Sequence, residues 1–396
     1  MNSNYLKAVG LAVCVVARCS FGQQAEAVPA KEVLTFGGDN RTRYEFMDNW
    51  PKAGTTKPGT SYDEYLRFRT RVWGKAQIND ELSTTLRLGN EFRSYNNSPL
   101  NNNRYKFPDE LYLDNLYGEW KHDLYDLKIG RQGFMKGPGR VLADGTPGDG
   151  SRTAYFDGAV LTLNVSAKSS VDFMGTWNHY RDDTPIGSTS QGVYDLTKIR
   201  AGSPYSKMDE GGLVAYATVR EIEAMPFETY WIWKKETSFY SGEDRYPGRE
   251  FHTMGVRLLP VFSDWLSGEW ESAYQFGGVD SAAGFKSRDI SAGMVYGGLT
   301  AKAMACSWVP SLRVGVLYMS GDKDSYYKTT DGSTDTGWNP VWGRIAYSSD
   351  IPVFMYDNAR WSNLLYPHAE IAATPAKNHT ISLESGPMYA VEKDLG

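Results

Sequence analysis

Between Phe36 and Phe46 the chain alternates in character. Phe36, Tyr44 and Phe46 share one parity, and Asp39, Arg41, Arg43 and Glu45 share the other. The pattern recurs from Leu66 to Ile78, where Leu66, Phe68, Val72 and Ile78 oppose Arg67, Arg69, Arg71, Lys75 and Gln77. It recurs again from Leu82 to Arg93, with Leu82, Leu86, Leu88 and Phe92 against Arg87, Glu91 and Arg93. Successive side chains of a strand point to opposite faces, so each segment is predicted to be a strand with one apolar and one charged face. A soluble antiparallel sheet alternates too, with its apolar face covered by a second layer. Segment length argues against that: these run about ten to thirteen residues, the reach of a tilted bilayer crossing, where soluble strands commonly have five or six.

The connections also alternate, short then long. Short links fall at Asn79-Asp80, His122-Asp123, Ser166 to Ser169, Glu221 to Ala224, Pro260 to Asp264, around Cys306 to Pro310, and Thr374 to Asn378. Between them lie polar stretches at 49–62, 94–108, 135–153, 181–209, 236–248, 277–286 and 321–357. Short turns on one side and long loops on the other are the mark of an outer-membrane barrel. The expected fold is therefore all-β, a transmembrane antiparallel barrel of 16–18 strands. Fifteen segments can be read, the last from His379 to Lys393, and single-chain bacterial barrels have even strand numbers. At least one closing carboxy-terminal strand is expected to be missing, and a hairpin hidden at Gly343–Tyr347 and Val353–Tyr356 would bring the intact barrel to eighteen. Trp120, Trp177, Trp231, Trp233, Trp270 and Tyr274 fall mainly on the apolar parity, as girdle residues at the lipid–water boundaries would.

The amino terminus reads as an address. Lys7, the apolar run Ala8 to Ala17 and the small residues of Ser20-Phe21-Gly22 predict a secretory signal over 1–22, cleaved to leave 23–396 as one barrel; Ala25-Glu26-Ala27 is a second candidate cut. The exported chain keeps one cysteine, Cys306, which excludes an intrachain disulfide. Lys plus Arg number 42 against 47 Asp plus Glu, a net charge of -5 that argues against a nucleic-acid partner.

Where the basic residues sit matters more than their total. On the charged parity lie Arg41, Arg43, Arg67, Arg69, Arg71, Lys75, Arg87 and Arg93, and further along Lys128, Arg220, Lys234, Arg257 and Arg313. Guanidinium forks match carboxylates, so a lumen lined this way suits a sugar acid. Glu45, Glu91, Glu119, Glu228 and Glu271 are interleaved with them and would compete for the same arginines, which favours release of a polyanion. The same residues also fit a salt-bridge lattice bracing the wall. Enzyme chemistry has little footing. His122, His179, His252, His368 and His379 are scattered without metal-ligand spacing, no Gly-x-Ser-x-Gly motif is present, and Asp322-Lys323-Asp324 reads as a solvated loop. His368 and Glu370, two apart on one face, fit a lumen pair. The expectation is a channel without cofactor or metal. A general anion or oligosaccharide porin, and an outer-membrane hydrolase acting on surface glycan, stay open as alternatives.

Several runs carry a family resemblance. Leu127-Lys128-Ile129-Gly130-Arg131-Gln132, then Gly139-Arg140, then Arg152 to Gly158, together with Gly118 to Lys121, Glu271 to Gly277 and Met319 to Asp324, resemble the alginate-export family of outer-membrane barrels. Trp338 to Trp342 and Arg360 to Asn363 resemble some of its members. The resemblance implies an eighteen-stranded barrel in the outer membrane of a Gram-negative-type bacterium, exporting anionic alginate through an arginine-lined pore. It implies as partners an anionic polysaccharide, outer-membrane lipid and a periplasmic synthesis and delivery machine, with the barrel itself monomeric. It also places Arg131 and Asp157 inside, whereas simple alternation with Leu127 and Leu161 points them outward; their direction stays open. The expected lumen set is thus Arg41, Arg43, Arg67, Arg69, Arg71, Arg87, Arg93, Lys128, Arg131 and Arg257, with Glu45, Glu91, Glu119 and Glu271 as acidic partners.

Overall fold

A computed structural model describes residues 33–47, 63–97, 105–143, 155–179, 208–241, 244–282, 284–323, 333–343 and 361–392. Nine strands come first: β1 (Leu34–Met47), β2 (Asp63–Gln77), β3 (Leu82–Asn97), β4 (Tyr105–Lys121), β5 (Tyr125–Gln132), β6 (Phe156–Asn164), β7 (Ser170–Asn178), β8 (Glu210–Val219) and β9 (Phe227–Glu236). After them come β10 (Phe239–Ser241), β11 (Asp244–Tyr246), β12 (Arg249–Leu258), β13 (Val261–Ser263), β14 (Leu266–Val279), β15 (Arg288–Lys302), β16 (Ser311–Met319), β17 (Leu364–Ala376) and β18 (His379–Ser385). One antiparallel sheet takes them in chain order, β1 through β9, then β12 and β14 through β18, with the three-residue β13 paired to β14. The pair β10–β11 stands apart as a small hairpin within the long link before β12. Apart from the β10–β11 and β13 inserts, each strand pairs with the next in sequence, which is the topology of an up-and-down barrel.

Three segment boundaries differ from the sequence expectation. The link expected over 94–108 is shorter, because β3 continues to Asn97 and β4 begins at Tyr105. The β3–β4 ladder slips between Glu91 and Arg93, and Pro108 falls in that slip, where its missing N–H costs no ladder bond. At the far end the strand expected to reach Lys393 stops at Ser385. A Cβ on Gly386 would lie 2.2 Å from the Pro367 carbonyl oxygen, and Pro387 follows with no N–H to donate, so regular pairing ends there. Within the link expected over 236–248, the backbone groups are partly satisfied by the β10–β11 hairpin. The signal segment and the hairpin expected at 343–356 lie outside the described residues, save Gly343.

Side-chain direction follows parity. On β1, Phe36, Tyr44 and Phe46 are exposed while Asp39, Arg41, Arg43 and Glu45 face the other way, half-buried. On β2, Val72 is exposed and Arg69 and Arg71 are buried. The same exposed apolar face continues through Leu86, Leu116, Trp120, Ile129, Phe173, Trp177, Leu213, Met254, Trp270, Tyr274, Val295, Val314 and Ile371. So continuous an apolar exterior is far larger than a soluble protein leaves in water. Hydrocarbon is its natural solvent.

The opposite face is not polar throughout, as alternation alone would have it. On β6 to β17, Val160, Met174, Val214, Ile232, Phe251, Met294, Leu317, Met319 and Leu364 also point inward and are buried. They are covered by two loops folded into the interior, 133–143 and 333–343, through Phe134, Val141, Leu142, Trp338, Val341 and Trp342. Strands covered on both faces lose alternation, which is why Leu312 to Met319 reads as nearly continuous apolar sequence. The two loops meet at a parallel bridge, Leu142 to Trp342, with the Trp342 N–H donating to the Val141 carbonyl at 3.0 Å. They approach so closely that a Cβ on Gly343 would lie 2.0 Å from the Arg140 carbonyl oxygen.

Parity makes a direct test possible. Val72→Arg, in the middle of the outward face of β2, is expected to destabilise the lipid-inserted barrel by about 2–4 kcal/mol, and Gln77→Arg, at the end of the same strand, by much less. Urea unfolding in phospholipid vesicles measures both, and equal costs would contradict the assigned faces.

Candidate functional site

The inner face divides into two regions. The first is a cationic wall on β1 to β5. Arg43 Nε lies 2.6 Å from Glu45, and Arg67 reaches Glu45 at 3.5 Å and Glu91 at 3.0 Å. Arg93 meets Glu91 at 3.4 Å with its guanidinium 5.3 Å from the Tyr65 ring centroid, and the Tyr65 hydroxyl donates to Glu45. Asp39 accepts from Arg71 Nε at 2.9 Å and from Arg69 at 3.5 Å. Glu119 gathers Lys75 at 3.1 Å and Lys128 at 3.8 Å. Arg41 stands directly across from Arg69 in the β1–β2 register, placing two guanidinium side chains side by side.

Cations on this wall outnumber its carboxylates. The excess has a structural signature: Arg69 Nε and Nη1 and Arg71 Nη1 are buried without a hydrogen-bond partner among the described residues. Isolated guanidinium donors in a low-dielectric wall are unfavourable, so this wall is short of acceptors.

One acid here escaped the sequence pattern. Arg87 pairs with Asn115 and the next pair is Leu88 with Leu113, so Asp114 is an extra residue, a β-bulge in β4. The bulge turns Asp114 and Asn115 both inward, and both are buried. Asp114 then lies 2.5 Å from Arg87 and 4.0 Å from Arg71. Strict alternation gives only one of two neighbours an inward direction, so no one-residue parity rule finds this pair.

The second region, on β7 to β15, is closed. Glu228 is held by Arg257 at 3.0 Å, by Arg220, and by the Tyr216 hydroxyl at 2.6 Å. Arg257 also meets Glu269 at 2.9 Å. Both inward loops put cations or backbone groups into this lattice. Lys136 lies 2.5 Å from Asp172, and Arg140 contacts Glu269 and Glu271 at 2.7 Å each while its guanidinium sits 3.7 Å from the Tyr296 ring centroid. Loop 333–343 is gripped from the wall: Lys234 donates to the Val341 carbonyl at 2.6 Å and pairs with Glu210 and Glu236 at 2.8 Å each. Gln275 exchanges two hydrogen bonds with the Asn339 backbone at 2.8 and 2.9 Å. Burial and opposed charge hold these groups together, and removing one partner strands the other.

Arg131 does not join the inner set. The register keeps it across from exposed Leu116 on one side and Asp157 on the other, and its neighbour Gln132, 1 % exposed, is the residue turned inward. Parity is unbroken here, so Arg131 and Asp157 form a 2.8 Å cross-strand pair on the outward parity, with the guanidinium 3.7 Å from the Tyr155 ring centroid. Partner and ring shield a charge that would otherwise face lipid. Lys128, two positions from Gly130, does face inward. Farther along, His368 lies 3.3 Å from Glu384, and Glu370 takes Arg313 at 2.6 Å. No group of three metal-ligating side chains occurs among the described residues.

An alginate export family model matches residues 32–391, nearly all of the chain. The chain belongs to the alginate export family. Several solved outer-membrane proteins are similar at low identity. OccAB1 of Acinetobacter baumannii aligns at 12% identity and a TM-score of 0.50, over 90% of this chain and 80% of that one. OpdL of Pseudomonas aeruginosa aligns at 14% identity and TM-score 0.45, over 86% and 75%. OmpT of Vibrio cholerae aligns at 11% identity and TM-score 0.44, over 92% and 91%. No curated protein matches significantly in sequence. This member of the alginate export family is an outer-membrane β-barrel channel of a Gram-negative-type bacterium.

Lys234→Met removes the buried cation between Glu210, Glu236 and the Val341 carbonyl, and is expected to cost about 3–5 kcal/mol locally. The inward loop should detach, raising single-channel conductance and opening 333–343 to proteolysis. Wild-type conductance and protection would mean the grip is dispensable.

Proposed function

We propose that this channel passively conducts an anionic, alginate-like polysaccharide, with the β1–β5 wall as its contact surface. The observation that carries the reading is the excess of cations on that wall, including Arg69, whose Nε and Nη1 are buried without a hydrogen-bond partner among the described residues. Arg41, Arg43, Arg67, Arg87, Arg93 and Lys128 extend the contact surface along the same face, and Arg257 contributes from the closed lattice opposite. A low-dielectric wall focuses this field and concentrates anions near it. Each guanidinium fork can take a carboxylate in two hydrogen bonds. Glu45 and Glu91 compete for the same arginines and Glu119 for Lys75 and Lys128, so a polymer exchanges contacts rather than locking in place. Glu271, bound to Arg140, maintains the closed region.

A hydrolase reading gains nothing from the geometry. Glu228, Glu269 and Glu271 are the clustered interior carboxylates, and each is held by arginine. The biological setting we infer is a chain that loses residues 1–22 on export, contributes the rest to a monomeric barrel, and receives polymer from a periplasmic synthesis machine.

Planar-bilayer recording tests the proposal. The pore should be anion-selective, and added polymannuronate should block it. Arg69→Gln combined with Arg71→Gln should weaken block by about tenfold or more, the scale of one charge-assisted hydrogen bond. A cation-selective pore, or one indifferent to polyuronate, would falsify the reading.

A further inference from the structure

The bulge in β4 spends an inward position on an acid where the proposed function asks for cations. Asp114 is 1 % exposed, against 42 % for the Asp39 side chain on the same wall, so it is screened from anything passing through the pore. It faces two guanidinium groups from different strands, Arg87 of β3 at 2.5 Å and Arg71 of β2 at 4.0 Å. Arg71 is thereby held between two carboxylates, Asp114 behind it and Asp39 beside it at 2.9 Å. Asp39 sits on β1, so three strands and a bulge converge on this one guanidinium.

We infer that Asp114 is a positioning residue: the bulged carboxylate fixes the Arg71 and Arg87 guanidinium groups against the wall in the orientation that a polyuronate carboxylate meets. This rests on the polyuronate reading above. Its physical content is a conflict of signs. Long-range electrostatics says that removing an acid from a pore wall makes the pore more attractive to anions. Positioning says the opposite for a bound polymer, because two long side chains released from their anchor regain rotamer freedom and lose their preset geometry. Asp114 is buried and Arg87 and Arg71 are its partners, so the positioning effect is local, while the added positive charge is felt through the whole lumen.

The two effects separate in one set of recordings. With Asp114→Asn, nearly the same shape without the charge, the reversal potential in a chloride gradient should shift toward greater anion selectivity. Block by polymannuronate should nevertheless weaken, by about tenfold, the worth of one charge-assisted hydrogen bond. A merely structural acid would leave block unchanged or strengthened in step with selectivity, and either result overturns the inference. Asp114→Glu keeps the charge on a longer stem and covers the case in which the asparagine variant fails to assemble. Its selectivity should match wild type while its block weakens, and unaltered block would again overturn the inference. Failure of the underlying reading looks different: the wild-type pore itself would ignore polymannuronate.

Discussion

A side chain on one of these strands has only two directions available, into hydrocarbon or into the interior, and lipid will not tolerate an unpaired backbone. That pairing requirement fixes neighbouring strands in register, and register fixes every side chain's direction at once. Phe36 and Val72 face lipid because Arg41 and Arg71 cannot, and a slip of one residue would exchange them. The barrel's chemistry follows from this sorting. Charges gather inside because they are expelled from outside, and the interior must then neutralise or use them.

The interior does both, in different places. On β7 to β15 the inward cations Lys234, Arg249, Arg257 and Arg288 each pair with an acid, and the inward loop 133–143 adds Lys136 and Arg140. Apolar contacts among Leu142, Val341, Trp342, Met294 and Leu317 exclude water there, which strengthens the ion pairs and makes each partner costly to lose. On β1 to β5 the neutralisation is incomplete. Arg41 and Arg69 are neighbours across the register, and buried donors remain without protein partners among the described residues. One region behaves as a braced support, and the other carries cations in excess of its acids.

That division also explains why a salt-bridge lattice and a transport surface need not be rival accounts of the same residues. Arg67 between Glu45 and Glu91 braces three adjacent strands. On the function proposed here, the same arrangement would leave the guanidinium exchangeable, because a passing carboxylate offers what the glutamates already supply. Weak discrimination between wall and cargo is a requirement of conduction.

Alternation, segment length and the short–long order of links determined the fold class and the parity of the wall arginines, and motif runs such as Leu127 to Gln132 and Met319 to Asp324 carried the family resemblance. These are properties of period and sequence order, which a chain carries without its tertiary contacts. Three features lay beyond that reach. The bulge that turns Asp114 inward breaks the period of two at one residue, and only the pairing of β3 with β4 reveals it. Loops 133–143 and 333–343 read as polar links, yet their few apolar residues close the interior because walls distant in sequence converge on them. Arg131 looked inward by motif and outward by parity, and the register with Leu116 and Asp157 decided for parity. Period is local and can be read along the chain, whereas enclosure depends on which strands become neighbours across the barrel.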